Sequence, residues 1–466
     1  MAIQCSYHLE EVDTRELPRR FLEAFSAILA HSNYGPYLDA VARMRLRCSR
    51  CTTSCPVYQA SGDRRDIPCG RSQLLLDVYR RYFTLGGNVG ARLGRSFTLT
   101  EEYINRMAEE YYRCTACRRC KAECPVGVDH ALITRLARWT LAEVGITPKA
   151  LVVATREQLD GKTHNTSAIP APAMQDTCEF LEEDCADVHG LRIKFPIDVE
   201  DAEYVFFPAV SDFLLEPDTL MGNAAVMTAT EASWTIGSHN FDGINYGLFY
   251  SDRLLDRIVN EEFGEVARLR GKTILIGECG HASRTAKAFV PTFCGENTPP
   301  VLNFMEYTHA QWKAGKLKLK PGVIEERVTY HDPCNIARSG WIVEQPREIL
   351  RHICADYVEM TPNGTRNYCC GGGSGIVSVD EVREFRTQVS GKTKADQLRA
   401  TGANVCVAPC ANCKKQLKEI CEDHGLDITI SGLHELVLRA IDPPDFMRVE
   451  PDSANGGEPA EAEKEE

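Results

Sequence analysis

The sequence predicts an all-helical N-terminal domain followed by a duplicated α/β domain. Three observations lead there. The segments 72–83, 101–113 and 130–145 place apolar residues at helical spacing. From about residue 196 the pattern becomes short β-branched runs alternating with longer amphipathic stretches, as parallel sheets with crossover helices require. Two stretches of the second part repeat: VFFPAVSDF aligns with TYHDPCNIA, and ILIGECGHA with VCVAPCANC.

In the N-terminal part the strongest signal is CTACRRCKAECP, which holds Cys114, Cys117, Cys120 and Cys124 followed by Pro125. This is C-x2-C-x2-C-x3-C-P, the spacing that binds cubane [4Fe-4S] clusters in bacterial ferredoxins. Three closely spaced thiolates grip one cube, and the fourth reaches another. Zinc needs only four ligands in C-x2-C pairs and fits the run poorly. The stretch 46–71 is an incomplete copy, in which Cys48, Cys51 and Cys55 match the last three cysteines and Arg45 stands at the first position. The crossed ligation of two-cluster ferredoxins then assigns Cys55, Cys114, Cys117 and Cys120 to one cube. Cys48, Cys51 and Cys124 go to the other, with Cys69 as candidate fourth ligand or, failing that, a structural cysteine beside an incomplete cluster.

A Pro-rich stretch at 168–174 separates this domain from the α/β part. Strands are expected at 204–210, 272–278, 327–332, 404–409 and 427–431, and helices at 253–269, 348–354, 380–400 and 413–425. The expected layout is a helical domain over 1–150, a linker over 151–195, a degenerate first repeat over 196–300, a connector over 301–325, an intact repeat over 326–445 and an acidic tail over 446–466.

The chain has 21 cysteines and a net charge of −13. In a reducing compartment that many cysteines point to metal ligation. Residues 450–466 carry seven acids and one lysine and read as a solvated tail. The bases that do cluster, Arg45, Arg47 and Arg50 and then Arg113, Arg118, Arg119 and Lys121, surround cysteines. They form a solvated face, offset anionic sites, or dock a redox partner. No basic stripe suggests nucleic acid. No apolar run approaches the roughly 18 residues of a membrane span, and the first 20 residues show no signal-peptide core, so a cytoplasmic chain without its own membrane span is expected.

The third cysteine group is Cys334, the adjacent pair Cys369 and Cys370, and then Cys410 and Cys413. Cys334 and Cys410 follow expected strands, where open α/β folds place their sites. Five thiolates exceed the need of one zinc or one cube. In the first repeat Ala209 stands at the place of Cys334, Cys279 at that of Cys410 and Ala282 at that of Cys413. The separations are similar, 70 residues from Ala209 to Cys279 and 76 from Cys334 to Cys410. Cys279 and His281 either face the site across a pseudo-two-fold or are structural remnants. The remaining cysteines read as small buried hydrophobes or bystanders.

The spacing C-x34-CCG-x38-C-x2-C is similar to that of the cysteine-rich CCG domain, and two cubane runs among helices resemble the α-helical ferredoxin domain. Together with HDPCNIARSG, CCGGGSG, GECGHA and APCANCKK, they resemble the D-type iron–sulfur proteins of the heterodisulfide reductase family. The nearest resemblance is to the cytoplasmic iron–sulfur subunits of membrane redox complexes of sulfate reducers, of DsrK or HmcF type. That resemblance implies an α-helical ferredoxin domain followed by a duplicated CCG α/β domain, with the fold class α + α/β. It implies two cubane [4Fe-4S] clusters and one non-cubane [4Fe-4S] cluster held by Cys334, Cys369, Cys370, Cys410 and Cys413. Gly371, Gly372 and Gly373 would let backbone N–H groups approach the sulfides.

It also implies a membrane cytochrome b-type subunit as electron partner and a small DsrC-like thiol/disulfide protein as substrate. The chain would be peripheral on the inner face of the cytoplasmic membrane in an anaerobic sulfate-respiring cell, with the CCG cysteines as catalytic groups. His331, Arg338, Lys414 and Lys415 lie near them in sequence and could hold substrate or a proton, or lie outside the site. Two other readings remain: a pure electron relay, and the iron–sulfur subunit of a glycolate, lactate or glycerol-3-phosphate dehydrogenase. No flavin or nicotinamide fingerprint is present.

Overall fold

The computed structural model describes residues 15–44, 48–94, 97–295 and 298–449. Arg45, Arg47 and residues 450–466 of the expected tail lie outside the described residues; the start of that tail, 446–449, is corrected, because Met447 is buried and its carbonyl accepts from the Arg192 amide at 2.7 Å.

The N-terminal part is helical. Helices Leu17–Ala30, Tyr34–Met44, Pro68–Phe83, Glu101–Tyr112 and His130–Glu143 bury one common core that includes Phe21, Phe25, Leu75, Ile104 and Leu136. Local chemistry sets their starts. Thr100 accepts from the Tyr103 amide and Asp129 from the Leu132 amide, satisfying N–H groups that the first turn leaves orphaned. Pro68 sits in the first turn of its helix, where its missing N–H is harmless. Both cysteine runs occupy loops and short helical turns around these helices.

Two four-stranded sheets follow. The strands are β1 (Tyr204–Phe207), β2 (Trp234–Thr235), β3 (Thr273–Ile276), β4 (Val301–Asn303), β5 (Ile324–Tyr330), β6 (Cys354–Val358), β7 (Val405–Val407) and β8 (Thr429–Ser431). The orders are β2-β1-β3-β4 and β6-β5-β7-β8, and every pairing is parallel. The central strands are continuous apolar runs such as YVFF, TILI and VCV, as sheets covered on both faces demand. In each sheet the chain leaves the first-formed central strand toward one edge and the second toward the other. The crevice between β1 and β3, and that between β5 and β7, are therefore topological switch points.

The five expected strands form, but β2, β4 and β6 were not expected. β2 and β4 have two and three residues, too short to show alternation, and β6 begins at Cys354, which the helical pattern of 348–354 had absorbed. The expected linker over 151–195 is corrected: helices Lys149–Asp160 and Ala171–His189 occupy most of it. The prolines that suggested a linker sit at the start of the second helix, which tolerates them. The connector over 301–325 is corrected likewise, because β4 completes the first sheet and is followed by helix Phe304–Lys313. The single helix expected over 380–400 is interrupted. A π-helical turn at Arg386–Ser390 precedes helix Lys392–Thr401. The interruption lies where another loop packs: a Cβ on Gly371 would stand 2.8 Å from the Gly391 nitrogen and 3.0 Å from the Arg386 carbonyl oxygen.

Among the described residues, no helix is long and apolar enough to cross a membrane.

Candidate metal and redox site

Cys334 opens the helix Cys334–Gly340 just after β5, and Cys410 precedes the helix Ala411–His424 just after β7. The two lie on either side of the second switch point. The loop bearing Cys369 and Cys370 folds over it. All of these cysteines except Cys334 are nearly inaccessible.

The sulfurs touch. Cys370 Sγ lies 3.5 Å from Cys413 Sγ, Cys413 also hydrogen-bonds to Cys410, and Cys369 to both Cys334 and Cys370. The crowding together with burial pushes the Cys369 and Cys413 thiols well above the ordinary thiol range. Buried sulfurs crowded in this way repel one another once charged, whereas metal ions convert the same set into stable thiolates. The donor set therefore fits an iron–sulfur group better than five protonated thiols.

His331 adds to the set. Its imidazole lies beside Cys370, and ligand atoms of His331, Cys370 and Cys413 all lie within 4.8 Å of one another. Behind it runs a buried chain: Lys394 Nζ donates to Asn367 Oδ1 at 2.8 Å, and Asn367 Nδ2 approaches His331 Nδ1 at 3.4 Å. Burial lowers Lys394 to about 8. Lys394 was missed in the sequence because it lies on a polar amphipathic helix, where a lysine is ordinarily solvated.

The glycine run does two jobs. The Gly371 amide, at φ 98°, donates to Cys369 Sγ at 3.4 Å. Gly372 and Gly373 are needed for packing instead. A Cβ at Gly372 would stand 2.9 Å from the Gln416 side chain, and one at Gly373 2.7 Å from the Thr115 carbonyl oxygen. Thr115 belongs to the cubane run, so Gly373 lets the two cysteine loops meet.

The meeting is direct. Cys117 hydrogen-bonds to Cys369, and that contact, with burial, raises its pKa well above the thiol range. Cys55, Cys114, Cys117 and Cys120 line one enclosed cavity of about 20 Å³, together with Arg71 and His130. Those are the four residues assigned to one cube. Of the other set, Cys51 donates to Cys69 and so holds it below the thiol range, and Cys69 lies 3.9 Å from Ser49 Oγ. Cys48 is exposed and Cys124 half-buried, its sulfur accepting from the Val128 amide at 3.4 Å.

Three arginines fasten the junction. Arg138, fully buried, donates to the carbonyls of Ser374, Tyr111 and Cys114 and to Ser374 Oγ at 2.7–3.1 Å. Arg338 donates to the Cys117 carbonyl at 2.8 Å and to that of Asn367 at 2.7 Å. Arg119 donates to the Arg366 carbonyl and lies over the Tyr368 ring. Arg338 is thus engaged with backbone rather than open to substrate. Arg138 was missed. Its only sequence signal is its place, with Arg135, on a helical stretch rich in apolar residues.

Lys414 also points away from the sulfurs, toward Asp212 at 3.4 Å and Thr219 at 3.1 Å in the first α/β unit. Lys415 is exposed on the rim of a cleft of about 430 Å³, near Asn412 and Ser378. Cys279 is buried beside Cys410, and the neighbouring Gly280 amide donates to Cys410 Sγ at 3.4 Å. His281 bonds Asn412 through Nδ1 at 2.9 Å, and its Nε2 accepts from the Ser374 amide at 3.5 Å. Both residues therefore face the second mouth.

Comparison with known proteins matches residues 46–128 to a 4Fe-4S dicluster domain and residues 328–418 to a cysteine-rich domain, CCG. The chain is 26% identical to the Hdr-like menaquinol oxidoreductase iron-sulfur subunit 2 of Archaeoglobus fulgidus, over 90% of this chain and 83% of that protein. It is 25% identical to the D-type subunit of the dihydromethanophenazine:CoB–CoM heterodisulfide reductase of Methanosarcina barkeri, over 87% and 96%. A probable membrane-anchored ferredoxin of Chromohalobacter salexigens is 28% identical over 86% of this chain and 60% of its own length. With the dicluster domain first, the cysteine-rich domain second and both linked through Cys117, the chain is similar over most of its length to iron–sulfur subunits of Hdr-like redox complexes, and its domains support a role in electron transfer.

Proposed function

We propose that the protein relays electrons between a membrane redox partner and a thiol/disulfide site built from Cys334, Cys369, Cys370, Cys410 and Cys413. The observation that carries this reading is the contact of Cys117 with Cys369. One thiol of the cubane run touches one thiol of the vicinal pair, so a cluster on each side would share the shortest path for an electron. On this reading Cys55, Cys114, Cys117 and Cys120 hold the cube next to the site, and Cys48, Cys51, Cys69 and Cys124 hold an outer cube nearer the surface. A non-cubane [4Fe-4S] cluster on the five CCG cysteines, when bound, supplies one-electron chemistry at sulfur.

The overall step takes two electrons and two protons to convert a disulfide into two thiols, and its reverse releases them. The protein's own groups serve it in stated ways. The Gly371 amide offers a hydrogen bond to sulfur. His331 sits on Cys370, and the Lys394–Asn367–His331 chain aims donors at the pair. Cys279 and His281 wall the mouth from the first unit, which on this reading is a second copy of the α/β fold that lost its cluster; the matching strand orders support it. The electron partner would be a cytochrome b-type membrane subunit and the substrate a small thiol/disulfide protein, with the chain on the inner face of the cytoplasmic membrane. The names of the relatives, a menaquinol oxidoreductase and a heterodisulfide reductase, support a membrane partner and sulfur chemistry.

EPR of the anaerobically reconstituted protein tests the reading. A signal that appears only when thiol is added to the oxidised protein is the expected result. If thiols change no signal while the cubes still titrate, the chain is a relay alone.

A further inference from the structure

The helix Leu85–Arg92 of the N-terminal domain has its amphipathic pattern reversed. Its small residues Gly87, Gly90 and Ala91 lie toward the protein and are half-buried, and no residue of the helix is fully buried. Its large apolar side chains face water. Leu85 is 87% exposed and Val89 57%, and Leu93, just past the last turn, is 67% exposed. Leu85 is the most exposed large apolar side chain among the described residues. The three recur at i, i+4 and i+8 and so form one ridge along the helix.

Local chemistry fixes the ridge outward. Thr84 Oγ1 accepts from the Gly87 amide at 3.2 Å and donates to the Arg80 carbonyl at 2.7 Å. A Cβ at Gly87 would stand 1.9 Å from that same carbonyl oxygen, so only glycine lets this helix lie so close on the end of the helix Pro68–Phe83. Three large apolar side chains are thereby held in water, with no contact inside the protein to offset the cost.

The charge around the ridge has one sign. From residue 78 to residue 94 the chain carries Arg80, Arg81 and Arg92 and no acid, although its net charge is −13. Arg80 pairs with Asp77 at 3.0 Å, while Arg81 and Arg92 are in no ion pair among the described residues. Met44, 47% exposed, ends a helix at the same corner, where the Ala42 carbonyl accepts from Arg80 at 3.3 Å. A protruding ridge of this kind offers a protein surface little area. It suits a lipid surface, in which leucines enter the acyl boundary while guanidinium groups stay among the phosphates.

We propose that the helix Leu85–Arg92 is an interfacial anchor, with Leu85, Val89 and Leu93 inserting into an anionic lipid surface and Arg81 and Arg92 binding its phosphates. The chain then touches lipid itself, beyond any membrane partner and without a span of its own. Three side chains give weak, reversible binding alone, which an integral partner would reinforce. Cys69 lies near the other end of the helix Pro68–Phe83, about 20 Å along its axis, so one helix ties the lipid contact to the outer set of cysteines.

Flotation of reconstituted full-length protein with lipid vesicles tests the assignment, with no partner protein present. Vesicles of phosphatidylglycerol and phosphatidylcholine in equal parts should bind it about tenfold more tightly than phosphatidylcholine alone, and added salt should weaken that binding. Leu85→Ser with Leu93→Ser should weaken it by about tenfold or more, and Arg92→Gln by about fivefold. Leu214→Ser, at an exposed leucine of the first α/β unit, should change nothing. All these side chains are exposed, so iron content and any response to thiol should be the same in every variant. No binding to anionic vesicles, or binding that survives the double leucine change, overturns the anchor and leaves the thiol/disulfide reading standing. A double variant that floats normally but no longer assembles with the membrane partner overturns it in favour of a protein-docking ridge. A double variant that floats normally but loses a self-association seen in the unaltered protein overturns it in favour of a second copy.

Discussion

The two α/β units have the same strand order and differ in what stands at the switch point. In the second unit β5 and β7 end just before Cys334 and Cys410, and a loop brings Cys369 and Cys370 over them. In the first, β1 ends before a fully buried Ala209, β3 before Cys279, and the closing loop presents Asp242. Asp242 accepts from the Ile244 amide at 2.9 Å and from the Thr166 amide at 3.0 Å and its hydroxyl at 2.6 Å. Burial raises it to about 6, against those hydrogen bonds. One crevice thus collects sulfur, and the other is filled by a carboxylate bound to the protein's own amides. A parallel sheet supplies a place for a site without specifying its chemistry.

The sharpest way to break the contrast is to remove sulfur from the second mouth. Two cubes and a four-iron cluster require about twelve irons. Cys370→Ala or Cys410→Ala should lower that to about eight, erase the thiol-dependent EPR signal and abolish disulfide reduction, while both cubes still accept electrons from a chemical donor. Full disulfide reductase activity in either variant within the assembled complex would mean that the second mouth is as chemically silent as the first.

Much of this site could be read from the sequence, because cysteine spacing is an explicit code. The grouping of Cys55 with Cys114, Cys117 and Cys120 was legible from the crossed pattern of two-cluster ferredoxins, and the structure sets the four around one cavity. What was not legible depends on distant segments meeting. Nothing local marks Gly373 as the seat of the Thr115 carbonyl or Arg138 as a clamp on the 374 loop. The strands β2 and β4 are defined by their neighbours' hydrogen bonds rather than by their own residues. The π turn at Arg386–Ser390 answers to Gly371, fifteen residues earlier in the chain.

The units are also joined by a buried ion pair, and breaking it should have the next largest effect. Lys414 Nζ and Asp212 are both nearly inaccessible, 3.4 Å apart. Burial raises Asp212 to about 7, against the pull of Lys414. Lys414→Met should destabilise by about 3–5 kcal/mol, since it strands a buried carboxylate. Lys414→Met with Asp212→Asn should lose less than the sum of the two single changes, with a coupling of about 1–3 kcal/mol in denaturant unfolding. Additive effects would mean that the Lys414–Asp212 pair does not help to hold the two units together. The sign of the pH dependence follows from the raised carboxyl. Its folded pKa lies above the unfolded value, so protons bind the folded state more tightly. Asp212 therefore adds stability at low pH, and that contribution should fall away as pH rises from about 4 to about 7.

Gly373→Ala acts at the junction of the two cysteine loops. Its methyl would stand 2.7 Å from the Thr115 carbonyl oxygen, and backbone cannot step aside as a side chain does. The expected cost is about 1–3 kcal/mol of stability. Iron content and the thiol-dependent signal should persist, with slower reduction of the inner site through the cubes. Unchanged stability and an unchanged rate would show that the loops can separate without consequence, and that the Cys117–Cys369 contact is not the path.

The smallest effect is expected at the one cysteine that the first unit retains at its switch point. Cys279 is buried, lies beside Cys410, and caps its helix by accepting from the Ala282 amide at 3.5 Å. Serine is a good residue for that capping position, so Cys279→Ser should change stability by no more than about 1 kcal/mol. The contact between the units at this point is made by backbone, the Gly280 amide on Cys410 Sγ at 3.4 Å, and survives the change. Five cysteines already supply the second mouth. Cys279→Ser should therefore keep about twelve irons and keep the thiol response, altering only the shape of its signal through the changed neighbour of Cys410. Cys178→Ser, in the helix Ala171–His189 and in contact with Met174, gives the reference for a buried cysteine with no part in the site. Loss of about four irons in Cys279→Ser but not in Cys178→Ser would make Cys279 a sixth ligand. The cluster would then be shared between the units, and the division into a sulfur-bearing mouth and a silent one would no longer describe the molecule.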